Sequence, residues 1–176
     1  MAQVVFLRGV NVGGHRTFRP AALAADLRHL DAVNIGAAGT FVIRAPIGRA
    51  DLRAECARRL PFDTEIVICP GQDIVRLLSH EAFAAFPPRP DEVRFVSVLA
   101  RPCRSAPELP VRQPPDGRWL LQVLARDGRY VIGVYRRHMH VIRYLGTLDR
   151  LFGVPLTTRN WNTMTAIVKV LGKRVP

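Results

Sequence analysis

Two short stretches hold the side chains best able to do chemistry. The first, Arg8-Gly9-Val10-Asn11-Val12-Gly13-Gly14-His15, follows directly on an apolar run, Val4-Val5-Phe6-Leu7. A strand, a Gly-rich loop and then a helix form a generic arrangement for holding an anion. Glycine lets backbone N–H groups turn inward, and a helix N-terminus adds partial positive charge. In that reading Arg8 supplies a two-pronged phosphate contact, Asn11 a fixed polar contact, and Gly13 and Gly14 the close backbone approach. The spacing matches neither the dinucleotide fingerprint nor the P-loop. In the competing reading Gly9, Gly13 and Gly14 only turn the chain through positive φ, and Asn11 satisfies the loop's own backbone.

The second stretch is Thr157-Thr158-Arg159-Asn160-Trp161-Asn162-Thr163. A helix is expected to begin near Thr158, whose hydroxyl caps the N–H two or three residues on. Trp161 belongs to the helix's buried face, where its indole N–H needs a partner. Arg159, Asn160 and Asn162 either tie this helix to the Arg8–Gly14 loop or surround a ligand with it. The second alternative makes one binding set of Arg8, Asn11, Gly13, Gly14, Thr158, Arg159, Asn160 and Asn162. Its ligand is anionic or amide-bearing, since a site at two helix N-termini favours negative charge.

No catalytic residue can be assigned by spacing, for no acid pair or Ser/His/Asp set stands out. His15 is a candidate general base, although a lone loop histidine is more often a bystander. On a strand, His138 and His140 would face one side. Two ligands do not make a metal site, so no metal is expected. Cys56, Cys69 and Cys103 are odd in number and lack a C-x-x-C pair, which argues for three ordinary thiols. No cofactor is identified.

Charge is the unusual feature of the composition. The 176 residues carry 26 basic and 14 acidic side chains, a net of +12. Of the basic residues, only Lys169 and Lys173 are lysines. A GC-rich coding sequence accounts for much of an arginine excess, but it would spread the excess evenly. Residues 1–100 hold 12 arginines and 10 acids, whereas residues 101–176 hold 14 basic residues and 4 acids. That asymmetry points to an anionic partner, a small ligand or a nucleic acid. Apolar residues at 48% and charged residues at 23% place the chain among globular proteins. No apolar run approaches the ~20 residues of a membrane helix. The N-terminus lacks a signal-peptide pattern, so a cytoplasmic protein with no membrane partner is expected.

The elements that must position these residues follow from periodicity. Val4–Leu7 reads as a strand, and Pro20 starts a helix with Leu23, Leu27 and Leu30 on one face. Residues 32–35 and 40–44 flank Gly36-Ala37-Ala38-Gly39 as a hairpin. Asp51 opens a helix bearing Leu52, Cys56 and Leu60, and residues 65–69 form the next strand. The order β-α-β-β-α-β is that of a ferredoxin-like unit. Asp73 caps a third helix, extended by Phe83 and Phe86 and stopped by Pro87-Pro88-Arg89-Pro90. A strand follows at 94–99, then a proline-rich loop at 101–117, then a hairpin through Asp127-Gly128. Leu148, Leu151 and Phe152 mark a short helix ended by Gly153, before the terminal helix. The fold class is therefore α+β: a ferredoxin-like subdomain over 1–90, and a basic subdomain of strand, hairpin and terminal helices over 91–176.

The stretches L-R-G-V-N-V-G-G and T-T-R-N-W-N-T at this separation resemble the bacterial family known as domain of unknown function 1697. The resemblance spans essentially the whole chain and implies an α+β fold, but it carries no activity. Members typically show T-Y-I-Q-S-G-N-V-V-F between the motifs. This chain has Asn34-Ile35-Gly36-Ala37-Ala38-Gly39-Thr40-Phe41-Val42-Ile43 there. The glycine is kept as Gly39, while Ala38 and Thr40 stand in place of serine and asparagine. Three functions compete. One is a binding protein for a small phosphate-bearing ligand, such as a nucleotide, at the two motifs. Another is a nucleic-acid-binding module using the basic C-terminal half, which lacks an aromatic-rich RNA-binding strand. The third is an enzyme of unknown reaction at the same site.

Overall fold

The computed structural model describes residues 1–87, 89–103 and 105–173. Pro88 of the expected helix stop and Arg104 of the expected loop lie outside them. The chain divides into two compact units, Met1–Leu78 with the stretch from Asn162 onward, and Ser79–Trp161. Each carries its own antiparallel sheet. The division differs from a boundary at residue 90. The first unit ends with Leu78 in its third helix, and most of the terminal helix belongs to that unit although it is last in sequence.

The first unit runs β1 (Gln3–Leu7), α1 (Pro20–Asp26), β2 (Ala32–Asn34), β3 (Thr40–Ile43), α2 (Arg49–Arg59), β4 (Ile66–Pro70) and α3 (Gly71–Leu78). Its strand order is β2-β3-β1-β4, with every neighbouring pair antiparallel. This is the ferredoxin-like arrangement, in which each helix carries the chain past one intervening strand. Val5 lies opposite both Phe41 and Ile68, which builds one apolar face. Leu23 and Leu27 from the α1 segment and Leu52 and Cys56 from α2 close that core. Proline stands at the start of α1 as expected, and a 3-10 turn over Arg28–Leu30 brings Leu30 into the same core. α2 starts at Arg49 and α3 at Gly71, so Asp51 and Asp73 sit in first turns instead of acting as caps.

The second unit runs α4 (Glu81–Ala84), β5 (Glu92–Leu99), β6 (Val111–Gln113), β7 (Leu121–Asp127), β8 (Tyr130–Arg136), α5 (Val141–Phe152) and β9 (Leu156–Asn160). Its strand order is β6-β7-β8-β5-β9. Phe95, Leu99, Leu121, Val123 and Val131 form the sheet face packed with Val141, Leu148 and Phe152 of α5. Phe95 lies directly opposite Gly133, where a β-carbon would stand 2.4 Å from the ring. Gly153 ends α5 in the left-handed conformation, a common helix stop.

Three expectations are corrected here. The helix carrying Phe83 is separate from α3, because the His80 imidazole accepts the Ala82 N–H and starts a new helix. The 101–117 segment contains β6, paired with β7. Most consequentially, Thr158 does not cap a helix. Residues 156–160 form the edge strand β9 on β5, and the terminal helix α6 (Trp161–Val170) begins only at Trp161. Among the described residues, no helix is long and apolar enough to cross a membrane.

Candidate functional site

The loop after β1 is pinned at its root. The Arg8 N–H donates to the Glu65 carbonyl at 3.1 Å, and the Thr64 hydroxyl donates to the Arg8 carbonyl at 2.6 Å. The loop then folds into a small finger. Val12 and His15 bridge, with the His15 N–H on the Val12 carbonyl at 3.1 Å. Gly13 and Gly14 occupy the tip with φ of 59° and 75°. Two consecutive positive φ values are what a tight hairpin turn demands. Gly13 and Gly14 therefore supply the left-handed backbone that this turn requires. Five residues separate Gly14 from Pro20, so the finger does not run into α1 as a strand–loop–helix cradle.

Asn11 is committed to the chain itself. Its Nδ2 donates to the Ala37 carbonyl at 2.9 Å, and its Oδ1 accepts the Phe18 N–H at 2.9 Å. It thereby fastens the finger to the β2–β3 hairpin tip. Gly39 explains why that tip keeps a glycine. Its φ is +68°, and a β-carbon there would lie 2.6 Å from Val10 Cγ2 and 2.9 Å from Leu7 Cβ. The Asn11 amide meets a backbone carbonyl at this tip, a contact that does not depend on a polar side chain at Ala38 or Thr40.

Arg8 lines a cleft of about 460 Å³ with Arg16, Arg53, Asp63, Thr64 and Glu65. The three guanidinium-bearing residues come from the end of β1, the far side of the finger and α2. The Arg16 guanidinium lies beside Gly9, where a β-carbon would come within 3.9 Å of Nη1. Arg53 Nη1 donates to the Ile66 carbonyl, which anchors it at the mouth of β4. Among the described residues, neither Arg16 nor Arg53 forms an ion pair. Three guanidinium groups suit phosphate or carboxylate oxygens, and Asp63 and Glu65 suit hydroxyl or amine donors on the same ligand. His15 is exposed and is not among the residues lining this cleft.

The second motif is built differently. In β9, Thr158 faces Ser97 of β5, and their hydroxyls hydrogen-bond at 2.6 Å. Asn160 hydrogen-bonds the Tyr135 side chain; burial pushes that phenol up, while nearby Arg137 and the Asn160 bond oppose the shift. Arg159 is 8% exposed, and its Nη1 donates to the Thr158 carbonyl at 2.8 Å. Burial lowers its pKa to about 10. Asn162 lies exposed in the first turn of α6. Trp161 packs edge-on against Phe83 at 4.9 Å, and the Arg94 guanidinium lies 4.9 Å from its ring centroid. Thr158, Arg159 and Asn160 thus lie within the second unit's sheet, while Arg8, Asn11, Gly13 and Gly14 belong to the first unit. His138 and His140 lie in the turn between β8 and α5, with rings 5.1 Å apart. Among the described residues, no group of three His, Cys, Asp or Glu is placed to hold a metal.

Arg16, Arg53, Thr64 and the two carboxylates escaped sequence reasoning. Nothing in their spacing distinguishes them in a chain with arginine throughout. Arg16 alone had a usable signal, its place one residue beyond the first motif.

Neither a family model nor a curated protein matches the chain. A solved structure from Streptococcus pneumoniae, described as a conserved bacterial protein, resembles it with a TM-score of 0.59 at 15% identity. The likeness covers 98% of each chain, so the α+β arrangement of the whole chain has a counterpart among known bacterial proteins.

Proposed function

We propose that this chain is a cytoplasmic bacterial protein, a divergent member of the domain of unknown function 1697 family, that binds a small phosphate-bearing ligand. The ligand sits in the first unit's cleft, with its phosphate on Arg8, Arg16 and Arg53. One observation carries the reading: three arginines from separate segments line one cleft at the foot of the loop that the sequence singles out. Asp63 and Glu65 then take hydroxyl groups, which favours a sugar phosphate or a nucleotide over a bare anion. Asn11, Gly13 and Gly14 shape the finger, and Arg8 is the member of the first motif that meets the ligand. The reading assigns no reaction.

Calorimetric titration with inorganic phosphate and ribose 5-phosphate tests it. A charged hydrogen bond is worth about 1.5–3 kcal/mol. Arg8→Ala and Arg16→Ala therefore each weaken ribose 5-phosphate binding at least about tenfold. Arg16 is exposed, so its variant unfolds within about 0.5 kcal/mol of the parent. Equal affinity in parent and both variants would remove the cleft from the account.

A further inference from the structure

The second unit carries its own cleft, of about 430 Å³, that neither motif lines. Phe86 and Trp119 give it two aromatic walls, with ring centroids 6.1 Å apart and planes inclined at 64°. Arg136 gives it a third flat surface. Its guanidinium lies 4.3 Å from the Trp119 ring centroid and its side chain is only 11% exposed. It is held in place by Asp91 Oδ2 at 2.8 Å, Glu92 Oε1 at 3.4 Å and the Trp119 carbonyl, to which Nε donates at 3.1 Å. Its charge is therefore answered within the protein, and what it offers the cleft is a rigid plane.

Two other arginines differ from it. Arg89 and Arg112 line the same cleft, are exposed, and form no ion pair among the described residues. The one carboxylate lining the cleft, Glu92, is already engaged by Arg136 and by the Arg89 backbone N–H at 3.1 Å. The cleft thus presents net positive charge at its rim. Gln122 of β7 also lines it, is 5% exposed, and carries a buried Oε1 with no hydrogen-bond partner among the described residues. A buried acceptor left without a donor is a standing free-energy cost, and a ligand that supplies the donor removes it.

We propose that this cleft is a second binding site, for a nucleotide unit. The base stacks on one of these flat surfaces, the Phe86 ring or the Trp119–Arg136 pair, as bases do on aromatic rings and guanidinium planes. A base amino or ring N–H group donates to Gln122, and the phosphate sits on Arg89 and Arg112. A nucleotide combines the three features the cleft asks for: a plane, a donor and an anion. The volume falls in the range of small-molecule sites. A free mononucleotide and one residue of a single strand share this chemistry, and the test separates them.

The chain has two tryptophans, Trp119 and Trp161, so Trp161→Phe leaves Trp119 as the reporter. It is titrated with AMP, GMP, CMP and UMP, with adenosine and inorganic phosphate as controls, and with a short single-stranded oligoadenylate. Saturable quenching by at least one mononucleotide, with controls at least tenfold weaker, identifies a free nucleotide. Saturation by the oligoadenylate alone, with affinity falling steeply in salt, identifies a strand. In either case Arg112→Ala weakens binding about tenfold or more. Gln122→Met weakens it too while leaving stability equal or higher, which a purely structural glutamine would not do. If Trp161→Phe does not fold, calorimetry on Arg16→Ala, alone and combined with Arg112→Ala, gives the same comparison without a contribution from the first unit's cleft. Arg16→Ala leaves this binding intact, so failure of the first unit's cleft is read separately. No saturable binding by any mononucleotide or the oligoadenylate, or binding indifferent to both Arg112→Ala and Gln122→Met, overturns the proposal.

Discussion

Replacing Gly39 by alanine separates two costs that usually arrive together. Gly39 and Gly36 flank the same hairpin tip with φ of +68° and +69°. Adding a β-carbon to a left-handed backbone costs about 1–2 kcal/mol at either place. Their surroundings differ. Around Gly36 nothing lies within 4 Å of the new carbon, whereas at Gly39 it meets Val10 Cγ2 at 2.6 Å and Leu7 Cβ at 2.9 Å. Both neighbours are buried in the core of the first unit, and forcing extra volume into a packed core costs about 1–3 kcal/mol. Gly36→Ala is expected to lose about 1–2 kcal/mol, and Gly39→Ala about 2–5 kcal/mol. Urea denaturation followed by far-ultraviolet circular dichroism measures both, read as a shift in midpoint at constant slope. The same pair reports on the loop. Leu7 N–H donates to the Gly39 carbonyl at 2.8 Å, so displacing Gly39 moves the residue that precedes Arg8. Gly39→Ala should weaken ribose 5-phosphate binding, and Gly36→Ala should leave it. Equal destabilisation of the two variants, within about 0.5 kcal/mol, would refute the close-packing argument.

Other outcomes follow from single contacts. Thr158→Val strands the Ser97 hydroxyl in a fully buried position and should cost about 1–3 kcal/mol, most of it recovered when Ser97→Ala is added; chemical denaturation of the three variants reads the coupling. Hydrogen bonding to Arg136 holds the Asp91 carboxyl below its ordinary value. The stabilisation from Asp91 is thus present above the unfolded-state pKa of about 3.9 and is lost as pH falls through the lowered folded value. Asp91→Asn should flatten the acid limb of a plot of unfolding midpoint against pH and leave the limb above pH 5 parallel to the parent. Burial pushes the Cys56 thiol up to about 11, and Cys69 is buried as well. At pH 8 a chromogenic disulfide reagent should react with half-buried Cys103 first, and with all three thiols only after unfolding.

The first unit was legible because its signals agree. Apolar runs at β1 and β4, a proline at the first position of α1 and a small-residue turn between β2 and β3 all call for the same β-α-β-β-α-β order. Asp127-Gly128 and Gly153 were equally plain, being residues that their backbone conformations select. β9 was missed for a physical reason. An edge strand needs no continuous apolar run, and Thr157 and Thr158 suit a strand as well as a helix cap. The polar residues of this stretch left open both a structural tie and a ligand contact; the structure shows Thr158 bonded to Ser97 of β5, Arg159 to the Thr158 carbonyl and Asn160 to Tyr135 of β8. At the candidate site, Arg8 was visible through its motif, but its companions Arg16 and Arg53 had no mark among so many arginines. The second cleft was beyond spacing arguments, since sheet pairing and a loop bring together Arg89, Arg112, Trp119, Gln122 and Arg136.

In the proposed function the first unit's arginine cleft holds a phosphate at a specific site. The most direct measurement is ribose 5-phosphate affinity of the unaltered chain at low and high salt, beside Arg16→Ala. Saturable binding is expected that survives high salt, stabilises the fold by about 2.7 kcal/mol at a hundredfold excess over Kd, and is weakened at least about tenfold in Arg16→Ala. Binding that vanishes at high salt, or that Arg16→Ala leaves untouched, would contradict it.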